Sequence, residues 1–423
     1  MTFIIAVLLV AAPLFLFLAR PSGVFYLRKL ALPFLCILFV LCLILFSGSA
    51  VKAAQNGLAL WAGVVVPSLF PFFVASEIIN STGFIKTSGI LLEPVMRPVF
   101  NVPGCASFAL LLGVTSGYPV GAKLTADLRS NGLLSKNEAE RLLAFTNNSG
   151  PLFIVGAVGT GMYGSSVIGI FLLACHIFAC LTVGVLFRFY KRPGRSRIKE
   201  TRKSDLLKTF KTRLASQRIQ ADGFGSILGN AIRNSVSTIL AIGGFIVLFA
   251  VIIQLLSETG LIGALAGALS HILSPLGLDR GVLTGVLSGV FEITTGSGIV
   301  SRLAAVPLSV KLPAVSLIIG WAGLSVHFQV MSIISGTDIR IMPYILGKAL
   351  QGAIAALYTA AGIRIFNLNS INKGTVLGYT NYDLPVFLGV LINTILLLLV
   401  SNVLLYIISR FAYILNKHKS IKS

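Results

Sequence analysis

The chain has 423 residues, of which 56% are hydrophobic and only 11% charged, and its mean hydropathy is +0.92. That composition excludes a soluble globular fold and calls for helices in a bilayer, where lipid offers backbone groups no water to bond. The net charge of +21 would suit a nucleic-acid binder, but twelve Lys or Arg crowd between Arg188 and Arg218 against only Glu200 and Asp205. A basic block between apolar runs marks the cytoplasmic side, so the lipid bilayer is the expected partner and nucleic acid is not.

Uncharged runs long enough to span fall near residues 2–19, 30–51, 57–76, 142–163, 165–187, 234–257, 312–336, 341–363 and 384–409. The first lacks a basic leader and a cleavage site, and so reads as a retained helix. Residues 142–187 hold no Asp, Glu, Lys or Arg across 46 positions, too many for one span, and Gly161 to Ser166 is the expected turn. Lys348 interrupts the eighth run and must either snorkel or face a cavity. Two further stretches, 102–122 and 281–301, are rich in Gly, Ser, Thr and Pro and read as broken or re-entrant helices. Between Asp127 and Arg141 the chain turns soluble, with capping-box spacing at Ser135-Lys-Asn-Glu138. The expected fold is all-α and polytopic: about nine spans plus two re-entrant elements.

Sliding the chain against itself by 177 residues superposes Thr82-Gly83 on Thr259-Gly260, Pro98 on Pro275, Gly104 on Gly281 and Gly121 on Gly298. Matches at one ungapped offset suggest a duplicated unit. Counting crossings from an outer N-terminus puts the segments Arg20–Lys29 and Arg188–Arg218 and the basic tail inside, with the second unit entering opposite to the first. This is an inverted repeat. The segmentation is then 1–52, N-terminal helices; 53–187, first repeat; 188–233, basic cytoplasmic loop; 234–365, second repeat; and 366–423, a loop, last helix and basic tail.

In inverted-repeat carriers the solute site lies where interrupted helices offer free N–H groups near the midplane. The first such element reads Thr115-Ser-Gly-Tyr-Pro-Val-Gly-Ala-Lys123, with Ser116, Gly117, Tyr118, Gly121 and Lys123 as candidates. Its counterpart is Glu292-Ile-Thr-Thr-Gly-Ser-Gly298, with Glu292, Thr294, Thr295, Gly296 and Ser297. Small residues there either admit a solute to the backbone or pack helices closely. Lys123 either attracts an anion or reaches a headgroup. Glu292 can pair with a base, take a proton or bind a cation. Asn147, Asn148 and Ser149 need partners in apolar surroundings, although Ser149 before Gly150-Pro151 can simply cap the next helix. His327 and Gln329 either bond a solute or join helices. Phosphate-loop, zinc-protease and Ser-His-Asp signatures are absent, and five scattered cysteines and four histidines carry no metal-ligand spacing. A carrier rather than an enzyme is expected, with no cofactor and no metal.

Pro67-Ser-Leu-Phe-Pro-Phe72, Leu92-Glu-Pro-Val-Met-Arg-Pro98, Asn101-Val-Pro-Gly104, Thr115–Lys123 and Phe145-Thr-Asn-Asn-Ser-Gly-Pro151 closely resemble the sporulation integral membrane protein YlbJ family, from about Gly57 to Tyr358. The resemblance implies two Gate, or nucleoside-recognition, repeats. It also implies a stage V sporulation protein, made in the mother cell, placed in the outer forespore membrane and implicated in moving dipicolinic acid toward the forespore. Dipicolinate, a planar dianion near neutral pH, would suit Lys123, hydroxyls, amides and helix N-termini. A nucleoside or other neutral solute, and a non-transporting role in spore-envelope assembly, are the alternatives.

Overall fold

Proline and glycine decide where the apolar runs stay helical. The computed structural model describes residues 23–81, 84–191, 224–272 and 279–366, and every regular element among them is a helix. The expected spans 2–19 and 384–409, and the basic segment beyond residue 191, lie outside the described residues.

Helix α1 (Gly23–Leu45) stops before Phe46, and α2 (Ser47–Leu60) leaves at a bend of 100°. Run 30–51 is therefore two helices rather than the single span expected, broken where Ser47-Gly-Ser49 supplies poor helix formers. Pro67 lacks the N–H that the carbonyl of Gly63 would accept. The chain widens there into one π-turn, Trp61–Val65, before α3 (Val66–Ser81). Helix α4 (Phe84–Phe100) turns by 87° into a short 3-10 turn and α5 (Ser107–Ser116). After α6 (Val120–Ser130) the expected capping box forms at Ser135 and starts α7 (Lys136–Thr146).

Run 142–163, expected as a continuous span, is instead interrupted. Asn147 adopts extended backbone (ψ 97), residues 147–150 are non-helical, and α8 (Leu152–Met162) restarts after Pro151, wound as a π-helix. The turn before α9 (Ser166–Phe187) falls at 163–165, as expected, with Gly164 at φ +66. The second half comprises α10 (Phe224–Glu258), α11 (Leu261–Ile272), α12 (Arg280–Phe291), α13 (Ile293–Ser301), α14 (Leu308–Trp321), α15 (Gly323–Ile334) and α16 (Met342–Phe366). Among the described residues, three stretches are long and apolar enough to cross a membrane: α9, α10 and the run Leu308–Ile334. Each bent pair, counted as one span, raises the total to five. The 25-residue α16 carries Lys348, Gln351 and Arg364 and is not among them.

Helix bounds recur along the chain. Moving from 47 to 224 and from 81 to 258, an offset of 177 residues, carries α2–α3 onto α10, and the same step carries the start of α4 onto that of α11. These corresponding segments lie side by side and run antiparallel. Ser49 Oγ donates to Glu258 Oε1 (2.8 Å) at one end, and Trp61 Nε1 donates to the Ile239 carbonyl (3.0 Å) further along. Between them, a Cβ placed on Gly57 would lie 3.2 Å from Val247 Cα. Other contacts are exchanged reciprocally: α6 packs on α15 and α13 on α8, while α7 packs on α16 and α14 on α9.

Candidate functional site

The two glycine-rich stretches form helical hairpins. Helices α5 and α6 fold back at Gly117-Tyr118-Pro119, and α12 and α13 at Glu292. Close backbone approach explains the glycines: a Cβ on Gly296 would sit 2.3 Å from Gly289 Cα, and one on Gly121 only 2.1 Å from the Thr146 carbonyl. Each hairpin bend abuts the break of the following interrupted helix. Gly117, in the left-handed region at φ +97, faces Gly150, whereas Glu292 faces Gly323 beside the left-handed Ala322 (φ +78).

The break at 147–150 is the centre of a buried polar cluster. Asn147 Nδ2 donates to the Tyr344 hydroxyl (3.0 Å), which lies 3.4 Å from His327 Nδ1. Lys348, fully buried on α16, donates to the Asn147 carbonyl (3.0 Å) and to Gln351 Oε1 (2.8 Å). Its ammonium also stands over the Tyr118 ring, 5.3 Å from the centroid. Gln351 Nε2 donates to Asn148 Oδ1 (2.8 Å) and lies 3.3 Å from His176 Nε2, which also accepts from the Ser149 main-chain N–H (3.3 Å). Tyr118 contacts the apolar cores on both sides of this cluster and donates to the Ile319 carbonyl (2.9 Å). Among the described residues no carboxylate lies within ion-pairing distance of Lys348.

Sequence-predicted residues divide accordingly. Asn147, Asn148, Ser149, Tyr118 and His327 meet at the centre, and Ser116 lies buried at the adjoining bend. Ser149 does not cap α8: its hydroxyl, like those of Ser116 and Ser297, is buried without a partner. Gln329 is buried on α15. Gly117, Gly121 and Gly296 serve backbone packing. Glu292 closes the N-terminus of α13, accepting from the Thr294 and Thr295 N–H groups (2.7 Å each) and from Thr295 Oγ1 (2.9 Å). Lys123 pairs with Glu77 (2.6 Å) and Asp127 (3.5 Å). Sequence reasoning passed over Tyr344 and Gln351 and noted Lys348 without placing it in the site. A lysine followed three residues later by glutamine on an apolar helix is the signal that would have found the pair.

A second polar zone ties the halves together at the helix ends. Arg129 forks onto Asp338 (2.8 and 2.9 Å). The fully buried Glu140 carboxylate accepts from Arg340 Nε and the Tyr190 hydroxyl, each at 2.9 Å. By contrast, an apolar groove between α1, α2 and α10, lined by Phe39, Leu43, Leu58, Trp61 and Val247, contains none of the candidate residues.

A family model described as Gate, nucleoside recognition, matches residues 62–189, which include the first hairpin and the 147–150 break. No solved structure matches the chain. Sporulation integral membrane protein YlbJ of Bacillus subtilis (strain 168) is 43% identical over 314 residues, covering 73% of this chain and 76% of that relative. At that identity and coverage, the chain belongs to the YlbJ family of sporulation integral membrane proteins.

Proposed function

We propose that the protein is a transporter serving spore formation, carrying dipicolinic acid from the mother cell across the outer forespore membrane by alternating access to the central cluster. One observation carries the transport reading: interrupted helices from both halves bring their polar groups to one buried centre, the arrangement in which membrane carriers hold solute. Family membership supplies the sporulation setting, and the family resemblance supplies dipicolinate.

The halves act as inverted repeats in this reading. Reciprocal packing, α6 on α15 and α13 on α8, is what a two-fold axis requires. Antiparallel pairing of α2–α3 with the bilayer-length α10 supports an axis perpendicular to those helices, hence in the membrane plane.

The Gate match favours one competitor, a neutral nucleoside. Proteoliposomes loaded by exchange with radiolabelled dipicolinate or uridine, with and without a pH gradient, separate the readings. Accumulation of dipicolinate is expected, and a response to the gradient would identify proton coupling. Uptake of uridine alone replaces the substrate, whereas movement of neither leaves an assembly role.

A further inference from the structure

Hydrogen-bond bookkeeping at the centre assigns protons as well as contacts. His176 Nε2 faces two donors, the Ser149 N–H and the Gln351 amide, both at 3.3 Å. That nitrogen therefore carries the lone pair, and the neutral ring holds its proton on Nδ1, which has no partner. Tyr344 accepts from Asn147 and lies 3.4 Å from His327 Nδ1, and His327 Nε2 is buried without a partner. The Ser116 and Ser149 hydroxyls are likewise buried and unbonded. One ammonium hydrogen of Lys348 also remains after its bonds to Asn147 and Gln351. Asn147 Oδ1 is an unpartnered acceptor in the same cluster and is outnumbered by these donors.

A buried ammonium held only by carbonyl dipoles and an aromatic face lacks the counter-charge that ordinarily compensates it. The carboxylate at the neighbouring bend, Glu292, is consumed in capping α13. We propose that a solute carboxylate is the counter-ion of Lys348, making the centre an anion site for a small carboxylate whose oxygens accept from Lys348, the Ser149 hydroxyl and His176 Nδ1–H. This inference rests on the transport reading and gives that site its charge selectivity.

Purified full-length protein should be titrated with pyridine-2,6-dicarboxylate and with uncharged pyridine-2,6-dicarboxamide, following affinity and thermal stability together. The dicarboxylate should bind and stabilise the wild type, and the dicarboxamide should do neither. Ser149→Ala breaks no side-chain hydrogen bond within the protein. It should melt as the wild type does and bind roughly tenfold more weakly. Lys348→Met should lose on the order of a hundredfold. Should that variant fail to fold, Ser149→Ala decides the matter. Equal binding of the dicarboxylate by wild type and Ser149→Ala overturns the proposal, as does equal binding of the dicarboxamide by the wild type. Uridine uptake without dicarboxylate binding removes the anion site and leaves transport standing, whereas failure of both solutes removes both.

Discussion

An ammonium group taken out of water needs either carboxylates or a cage of aligned dipoles, and both arrangements occur among the described residues. Lys123 has Glu77 and Asp127, and Lys348 has carbonyls and a ring face. Lys123→Ala would strand two acids at a largely buried position. It should therefore cost about 2–4 kcal/mol of stability, with part recovered in Lys123→Ala/Glu77→Gln. Denaturation of the purified variants measures this, and dicarboxylate affinity of the folded fraction should be unchanged. Glycine positions permit an equally direct comparison. Gly296→Val drives a side chain into Gly289, whereas a Cβ on Gly298 meets nothing within 4 Å. The valine variant should lose more than about 3 kcal/mol. Gly298→Ala should be neutral or slightly stabilising, because alanine favours helix. Melting curves of the two variants compare them directly. If Gly296→Val melts like the wild type, the close hairpin packing is wrong.

At the scale of elements, the features legible in the sequence were those written in adjacent residues. The Ser135 capping box, the turn at 163–165 and the hairpin bends at Gly117 and Glu292 each depend on a few consecutive positions. The interruption at 147–150 was only half legible: Gly150-Pro151 announced a helix start, but an uncharged run scores as one span whether or not it is helical, and Asn147-Asn-Ser-Gly-Pro151 is uncharged. Residues of the centre were harder to read, since the Lys348 bond to Asn147 joins positions 201 residues apart. The Glu292 cap was missed for a different reason: a carboxylate within apolar chain reads as a solute or proton ligand until the helix start beside it is seen. Topology provides the test at this scale. In a cysteine-free background, Asn131→Cys and Gly336→Cys should react with an impermeant maleimide from the cytoplasmic face only, and Ser257→Cys from the other. Labelling of all three from one face would refute the inverted arrangement. Arg129 draws the Asp338 carboxyl below its ordinary range by hydrogen bonding. The contribution of that exposed pair is thus complete above the ordinary carboxylate pKa of about 4 and is lost only as pH falls through the lowered value. Hydrogen exchange in the 335–341 turn should accordingly be flat from about pH 5 to 8, after correction for intrinsic rates, and faster in Asp338→Asn at neutral pH.

For the molecule as a whole, the ion pairs Arg129–Asp338 and Glu140–Arg340 join the first half to the second. If exchange of the centre between faces requires those halves to part there, an Arg129→Cys/Asp338→Cys disulfide should abolish solute exchange in proteoliposomes, and reductant should restore it. Continued exchange by the oxidised protein would show that the moving boundary lies elsewhere. These pairs also break the equivalence of the two halves. Stepping 177 residues on from Glu140 reaches Leu317, and stepping back from Asp338 reaches Gly161, so the corresponding positions carry no charges to form such a clasp. A two-fold scaffold alone would make the inward- and outward-facing forms equal in energy, and a clasp on one rim tilts that balance and lengthens the dwell on one side. It cannot set the direction of net flow, because a bias between resting forms does no work over a closed cycle. In the proposed transport cycle the clasp would thus be a timer, and the solute gradient, or any ion moving with it, the motor.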